Sequence, residues 1–369
     1  MNNPRIIISG GGTGGHIFPA LSIAGSIKAL CPEAEILFVG AIGKMEMERV
    51  PAAGYRIIGL PVAGLQRSLS PKNLALPFKV LKSVSKAGEI IRDFKPDVAV
   101  GVGGYASAPL LWSASHKGIP CLIQEQNSYA GLTNKILAKR AACICTAYEG
   151  MERFFPADRI LLTGNPIRPE IAPATREQRE EGYRFYGLDP DKKTLFVVGG
   201  SLGCGTLNNV MRDWVKDKAA QADYQVIWQC GRGYKAGVDE FMAGREVPNL
   251  VYTDFIKRMD LAYAVSDLLV SRAGAGTISE LCVAGKATIF VPSPNVAEDH
   301  QTHNAMALVE KDAALMVRDA EAGEKLIDTV EGMIGDEARL ADLERNILKL
   351  GRKDASEVIA KEVLKLVKG

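Results

Sequence analysis

The sequence lacks an unbroken apolar run long enough to cross a membrane as a helix, which takes roughly 20 consecutive apolar residues. Its most apolar window, Val98 to Ser115, is interrupted by Gly101, Gly103, Gly104 and Pro109. The opening residues, Met1-Asn2-Asn3-Pro4-Arg5, lead straight into a short strand pattern and not into the apolar core of a signal peptide. A soluble or peripheral protein is expected. The seven cysteines are odd in number, show no zinc spacing and sit mostly in apolar runs such as Ala142-Cys143-Ile144-Cys145. They read as buried thiols in a reducing cytosol, not as a disulfide framework. Excess charge is missing as well, since 45 basic against 43 acidic residues give a net charge of only +2. Without a local concentration of positive charge, no nucleic-acid partner is indicated. A Walker sequence is absent, because Gly285-Lys286 has neither the upstream glycine nor the following Ser or Thr. No HExxH pattern accompanies His300 and His303, so polar sugar contacts suit them better than a metal. Asp189-Pro190-Asp191 sits in a turn before a strand and reads as structural. No resident metal or cofactor is expected.

What is present is α/β alternation at a length of 369 residues, beyond the roughly 250–300 at which single cores stop growing. Two domains follow. Short β-branched runs bounded by Gly, Pro or Asn recur in the first half at Arg5–Ser9, Ile36–Gly40, Asp97–Gly101, Cys121–Gln124 and Ile144–Ala147. In the second half they fall at Thr194–Gly199, Gln225–Cys230, Leu250–Tyr252, Asp267–Ser271 and Thr288–Val291. Continuous apolar strands between helix-patterned stretches read as buried parallel sheet, covered by helices on both faces. Each half also opens alike: Ile6-Ile7-Ile8-Ser9 runs into Gly10 to Gly15, and Leu195-Phe196-Val197-Val198 into Gly199-Gly200-Ser201-Leu202-Gly203. The expectation is two Rossmann-like, doubly wound domains facing across a cleft, residues 1–163 and 164–349. The junction is Thr163-Gly164-Asn165-Pro166, and residues 350–369 hold an amphipathic helix for which a return to the first domain is open.

Gly10 to Gly15 satisfies Gly-x-Gly-x-x-Gly after a strand, so a nicotinamide cofactor has to be weighed. Its companion, an acid ending the second strand, is missing from Phe38-Val39-Gly40-Ala41-Ile42. What remains is a bare backbone followed at once by His16, whose ordinary pKa of about 6.5 suits a base acting on a hydroxyl. A capping or packing histidine is the structural alternative. A second glycine turn, Gly103-Gly104-Tyr105, follows another strand and suits a phosphate-bearing acceptor, or simply a tight turn. Gln124-Glu125-Gln126-Asn127 clusters an acid with amides at a strand end, a set that complements sugar hydroxyls. In the second half Gly199-Gly200-Ser201 offers backbone N–H groups to a diphosphate. Ser271 to Glu280 reads as a strand end, a glycine turn and a helix beginning near Thr277, whose N-terminus attracts phosphate. Glu280 is then placed to accept from a ribose diol; Thr277 and Glu280 as a capping box are the alternative. Finally, Pro71 to Lys86 sets Leu74, Phe78 and Leu81 at helical spacing among Lys72, Lys79, Lys82 and Lys86. Such a segment suits an anionic bilayer surface, and equally an ordinary covering helix.

Taken together these motifs resemble the MurG family of peptidoglycan GlcNAc transferases, over essentially the whole chain. The resemblance rests on Gly11 to His16, Gly103-Gly104-Tyr105, Glu125-Gln126-Asn127, Thr163 to Arg168, Gly199-Gly200-Ser201 and Gly274 to Glu280. It implies a GT-B fold, with acceptor on the first domain and UDP-GlcNAc mainly on the second. It places Thr13, Gly14, Gly15 and Asn127 on the sugar side. The donor nucleotide falls to Arg168, Ser201, Ile256, Ala275, Gly276, Thr277, Ile278, Ser279, Glu280 and Gln301. The implied reaction is inverting transfer of GlcNAc from UDP-GlcNAc to the 4-hydroxyl of undecaprenyl-linked muramyl-pentapeptide, with His16 as base helped by Glu125 and no metal. The implied location is peripheral, on the cytoplasmic face of the cell membrane, near other cell-wall assembly proteins. Two departures stand out. Gln124 takes the place of the family's usual histidine, and Ala106 and Ala108 flank Ser107 where more glycine is usual. Another GT-B enzyme, such as a glycolipid transferase or a UDP-GlcNAc epimerase, is the nearest rival; a non-catalytic UDP-sugar-binding protein is the rival of a different class. An epimerase would consume donor without lipid, and a binding protein has no use for His16.

Overall fold

The computed structural model describes residues 3–62, 76–200 and 202–368, without the side chains of residues 76–79, 297 and 368. The chain divides into two compact units, the first running to Arg168 and resuming at Arg352, the second spanning Pro169–Gly351. The division falls after Arg168 and not at Thr163 for a physical reason. Thr163 and Gly164 both donate their N–H to the carbonyl of Thr146, at 2.9 and 3.1 Å, which keeps that stretch on the first sheet.

In the first unit the strands are β1 (Arg5–Ser9), β2 (Glu35–Ala41), β3 (Arg56–Leu60), β4 (Val98–Gly101), β5 (Cys121–Glu125), β6 (Cys143–Thr146) and β7 (Ile160–Leu162). Among the described residues they form one sheet in the order β3-β2-β1-β4-β5-β6-β7. Every pairing is parallel, with Ile6 between Ile36 and Val98. The helices are α1 (Gly14–Leu30), α2 (Glu46–Ala52), α3 (Leu76–Phe94), α4 (Ser107–His116) and α5 (Leu132–Leu137). Strand β1 shows why the strands read as continuous apolar runs. Ile7 belongs to one hydrophobic core, while Ile6 and Ile8 belong to the core on the opposite face. Both faces are covered by helices, so polar alternation has no place there.

The second unit contains α6 (Arg176–Tyr186), α7 (Gly205–Asp217), α8 (Lys235–Met242), α9 (Met259–Val265), α10 (Ala275–Ala284), α11 (His300–Val309), α12 (Ala322–Ile334) and α13 (Glu337–Leu348). Its strands are β8 (Thr194–Val198), β9 (Gln225–Gln229), β10 (Leu250–Thr253), β11 (Leu268–Ser271), β12 (Thr288–Phe290) and β13 (Leu315–Met316). They run parallel in the order β10-β9-β8-β11-β12-β13. The last helix, α14 (Ala355–Lys368), belongs to the first unit. Its Ile359, Ala360 and Val363 are fully buried in one core with Ile23, Ala24 and Ile27 of α1. Each large aliphatic side chain buried this way contributes about 1.5–3 kcal/mol, so α14 is an integral part of that unit.

Two doubly wound parallel sheets make this a GT-B fold. Strand order reverses between β1 and β4 in one unit and between β8 and β11 in the other. Ligands of open α/β sheets bind beyond the strand C-termini at such a reversal. The glycine-rich stretches after β1, β4, β8 and β11 all lie there. The strands that the apolar pattern did not single out are β3, β7 and β13. Each ends its sheet and is only partly buried. All seven cysteines are unpaired, and burial pushes the Cys121 and Cys282 thiols up to about 12. None of the described helices is long and apolar enough to cross a membrane. Of the basic segment Pro71 to Lys86, residues 71–75 (Lys72 and Leu74 among them) and the Phe78 and Lys79 side chains lie outside the described residues.

Candidate functional site

The first unit brings two glycine turns together. Thr13 caps α1 with extended backbone (φ −144°, ψ 160°), and its carbonyl accepts from the N–H of His16 at 3.1 Å and of Ile17 at 3.2 Å. Gly14 and Gly15 open the helix, which leaves His16 half-buried in its first turn. His16 Nδ1 lies 3.1 Å from the carbonyl oxygen of Gly11. A carbonyl can only accept, so this bond puts the ring proton on Nδ1 and makes Nε2 the basic nitrogen of the neutral ring. The second turn lies against that same ring. A Cβ on Gly103 (φ +95°) would stand 2.8 Å from His16 Nε2, and one on Gly104 (φ +89°) only 2.3 Å from the Gly11 oxygen. Backbone therefore nests on backbone, and only glycine fits. Ser107 ties the turns together by donating to the carbonyls of Ser9 and Gly103, at 3.0 and 2.8 Å. The alanines beside it leave that tie intact. Tyr105 stands 53% exposed at the turn.

Gln124 to Asn127 has a different character from the one its composition suggests. Glu125 is 2% exposed. One carboxylate oxygen accepts from the N–H and side-chain amide of Asn127, at 3.0 and 3.3 Å. The other accepts from Gly131 N–H and the Asn134 amide, at 3.1 and 2.9 Å. Burial pushes the Glu125 carboxyl up, and those donors pull it down. With both oxygens taken, Glu125 orders the 126–131 loop and thereby holds Asn127, which is half-buried. That geometry fits positioning better than the helper-base role expected of it. Gln124 is fully buried and donates to Asn165 Oδ1 at 2.8 Å, so the usual histidine is replaced by a knot of amides with Gln126 and Asn165.

Sequence reasoning missed one group, the fully buried Glu46 at the start of α2. Its Oε2 accepts from Gly12 N–H and its Oε1 from Ala41 N–H, both at 2.9 Å. The second strand thus does acquire an acid at its end, delivered by the turn that follows. Both oxygens face backbone of the fold, which removes them from the ribose role that a nicotinamide fingerprint requires. Gly40 carried the available signal, since a Cβ there would stand 2.5 Å from Glu46 Cγ.

In the second unit α10 starts at Ala275, two residues before the expected Thr277, with Gly274 as N-cap and no side-chain cap. The capping-box alternative is thereby excluded, because Thr277 lies inside the helix. A helix start without a capping side chain leaves first-turn N–H groups available to an anion. Ala275, Gly276 and Thr277 form that turn, whereas the Ile278 N–H already donates to the Gly274 carbonyl at 2.9 Å; Ser279 donates back to the Ala275 carbonyl at 2.9 Å. Glu280, 8% exposed, accepts from the buried Tyr263 hydroxyl at 3.3 Å. Gln301 uses its Oε1 to accept from Ala273 and Ser293 N–H, at 3.2 and 2.9 Å, which turns its NH2 away from both. Ile256 is buried just beyond β10. Arg168 is half-buried and closes the first unit's continuous stretch, outside the unit that holds the other donor residues. Ser201 lies outside the described residues. Gly199 departs from expectation: its N–H donates to Gln229 Oε1 at 3.1 Å, so it is not presented to a diphosphate. Among the described residues, no three or more His, Cys, Asp or Glu side chains are grouped to hold a metal ion.

Comparison with known proteins matches each half of the chain to a domain of one family. The glycosyltransferase family 28 N-terminal domain matches residues 6–146, and the family 28 C-terminal domain matches residues 194–359. A protein of Bacteroides fragilis is 56% identical over 363 residues, covering 98% of this chain and 95% of its own length. One of Phocaeicola vulgatus is 57% identical over 366 residues, covering 99% and 96%. Both bear the name UDP-N-acetylglucosamine--N-acetylmuramyl-(pentapeptide) pyrophosphoryl-undecaprenol N-acetylglucosamine transferase. Among solved structures, that of Acinetobacter baumannii MurG superposes with a TM-score of 0.82 at 27% identity, covering 98% of this chain and 99% of that one. A UDP-N-acetylglucosamine 2-epimerase shares the fold at a TM-score of 0.63 and 13% identity over 99% and 96% of the two chains.

Proposed function

The chain belongs to glycosyltransferase family 28 and, within it, to the MurG enzymes, and from that premise we infer how its residues carry the transfer. It is a UDP-GlcNAc-dependent N-acetylglucosaminyltransferase that forms the lipid-linked disaccharide of peptidoglycan. The bond formed joins the muramyl 4-oxygen to C1 of GlcNAc. The bond broken joins C1 to the diphosphate, and UDP departs with the electron pair. In-line displacement of this kind inverts the anomeric centre. The hydroxyl proton goes to His16 Nε2, the nitrogen left basic by the Nδ1 bond to Gly11. The observation that carries this reading is His16 itself, held by one glycine turn and packed against the edge of another.

Donor binding falls to the second unit. The N-terminus of α10 is the group that stabilises growing negative charge on the departing diphosphate, and Arg168 and Ser201 are the further donor residues that the family likeness assigns. Glu280, steadied by Tyr263, accepts from the ribose hydroxyls. Gln301 offers its NH2 to an acceptor oxygen of the donor, because its carbonyl oxygen is already used. Ile256 supplies an apolar wall. Charge is handled throughout by protein groups, so the reaction as proposed needs no metal, and chelator should leave turnover unchanged. Glu125 and Asn127 shape the sugar side, and Gly103, Gly104 and Tyr105 flank the acceptor's diphosphate.

The lipid-linked acceptor calls for contact with a bilayer, and the packed helices α3, α4 and α5 have the right surface for it. Val80, Leu81, Trp112, Leu132 and Ile136 are exposed there. Lys82, Lys86, Lys139 and Arg140 are exposed on the same helices or just beyond them. Apolar groups among cations suit the interface of an anionic membrane on the cytoplasmic side. The deciding assay mixes purified protein with labelled UDP-GlcNAc and lipid-linked muramyl-pentapeptide. Labelled lipid-linked disaccharide is the expected product. Consumption of UDP-GlcNAc at an equal rate without the lipid would instead mark an epimerase.

A further inference from the structure

The peptide unit between Gly11 and Gly12 is bonded at both ends. Its N–H donates to Glu46 Oε2 at 2.9 Å, and its carbonyl oxygen lies 3.1 Å from His16 Nδ1. A single planar amide thus stands between a buried carboxylate and the imidazole read as the base. We propose that Glu46 is a positioning residue for His16, acting through the Gly11–Gly12 peptide as the acid of a hydrolase triad acts directly on its histidine. The proposal rests on the reading of His16 as the general base.

The surroundings of Glu46 make a built slot. The side chain has no exposed surface, and its second oxygen accepts from Ala41 N–H at 2.9 Å, which anchors it to the end of β2. A Cβ on Gly11 would stand 2.3 Å from Oε1, and one on Gly40 would stand 2.5 Å from Cγ. Two glycines from separate strand ends therefore make the space that the carboxylate fills. Donation to a carboxylate polarises an amide and makes its carbonyl a better acceptor, because hydrogen bonds in series strengthen one another. The stronger acceptor holds the histidine proton on Nδ1 and keeps Nε2 unprotonated until the acceptor hydroxyl arrives. When Nε2 takes that hydroxyl proton the ring becomes cationic, and a carboxylate one peptide away favours the cation. No proton passes through the peptide or onto Glu46. Thr13 Oγ1, 3.4 Å from Nδ1, is a neighbouring polar atom and carries no charge to do the same.

The test uses the full chain labelled with 15N at histidine, which has only four such residues; His16→Gln assigns the signal. In the wild type the neutral His16 ring should be the Nδ1–H tautomer. Glu46→Gln cannot accept at both backbone N–H groups, and it should mix the tautomers and lower kcat roughly 10- to 100-fold. The dissociation constant for UDP-GlcNAc should stay within twofold of wild type, since Glu46 touches none of the proposed donor residues. An Nε2–H tautomer in the wild type would overturn the proposal even if Glu46→Gln failed to fold. So would a folded Glu46→Gln enzyme with unchanged kcat, or one that keeps the Nδ1–H tautomer undiluted. His16→Ala separates the two ideas: unimpaired turnover there would end the base reading, while the tautomer would still report whether Glu46 acts on His16.

Discussion

The first glycine turns of the two units occupy equivalent places, each following the strand beside the order reversal, yet they are anchored by different chemistry. In the first unit the anchor is the Glu46 carboxylate on Gly12 N–H; in the second it is the Gln229 amide on Gly199 N–H. Gln229 also donates to the carbonyls of Gly200 and Asp254, both at 2.9 Å, which an acid cannot do. The proposed roles of the two units account for the difference. Two like charges about 5 Å apart repel by about 3 kcal/mol at an effective dielectric near 20. In the proposed donor unit, a carboxylate at this place would add negative charge to the unit that binds the diphosphate and oppose both binding and departure. Beneath a turn that holds a base, the same charge favours the protonated base that the reaction produces. Shared topology therefore leaves room for opposite electrostatics.

The comparison can be broken most forcefully at His16. His16→Ala should lower turnover by roughly 10²- to 10⁴-fold, with calorimetric affinity for UDP-GlcNAc unchanged; loss of donor affinity in proportion would place His16 in the donor site instead. Next in size is Glu280→Ala, which removes a charged acceptor from the proposed ribose contact. Donor affinity should fall roughly 10- to 100-fold, the range for hydrogen bonds to charged groups, and 2′-deoxy-UDP should then bind as well as UDP. Equal discrimination in variant and wild type would remove Glu280 from ribose recognition. Gln229→Glu gives the second turn the first turn's anchor. UDP-GlcNAc affinity should weaken about tenfold or more by like-charge repulsion, while the His16 tautomer stays as in the wild type. An unaffected donor affinity would mean that the neutral anchor has no electrostatic purpose. The smallest effect is expected at the surface of the first unit, where Lys82→Ala should reduce binding to anionic vesicles about fivefold and leave binding to neutral vesicles alone.

Legibility of the fold tracked burial. Strands at the middle of each sheet are covered on both faces, and their continuous apolar runs located them to within a residue or two at each end. β3, β7 and β13 lie at sheet ends with partial burial and went unmarked, while β10, equally at an end and partly buried, was found only because its Leu-Val-Tyr run follows the turn signal Pro248-Asn249. The site was legible where glycine imposes geometry. Gly103 and Gly104 both need positive φ and close approach, and both stood out. What stayed hidden depended on how loops fold back to bring hydrogen-bond donors onto a carboxylate. Glu125 looked like a sugar-facing acid because only the fold of the loop that follows turns the Asn127, Gly131 and Asn134 donors back onto its carboxylate. Glu46 looked like one acid among several in a charged helix.

From the order of its residues alone, this protein is determined to be a pair of doubly wound α/β units with glycine turns at their ligand-binding edges. Those properties follow from local periodicity and from where a Cβ cannot fit, which neighbouring residues decide. Tertiary structure alone decided that α14 returns to the first unit, that Glu125 is sealed by its own loop, and that Glu46 reaches His16 through a peptide. Each of those depends on where loops and helices turn back in space, and distances of that kind exist only after folding.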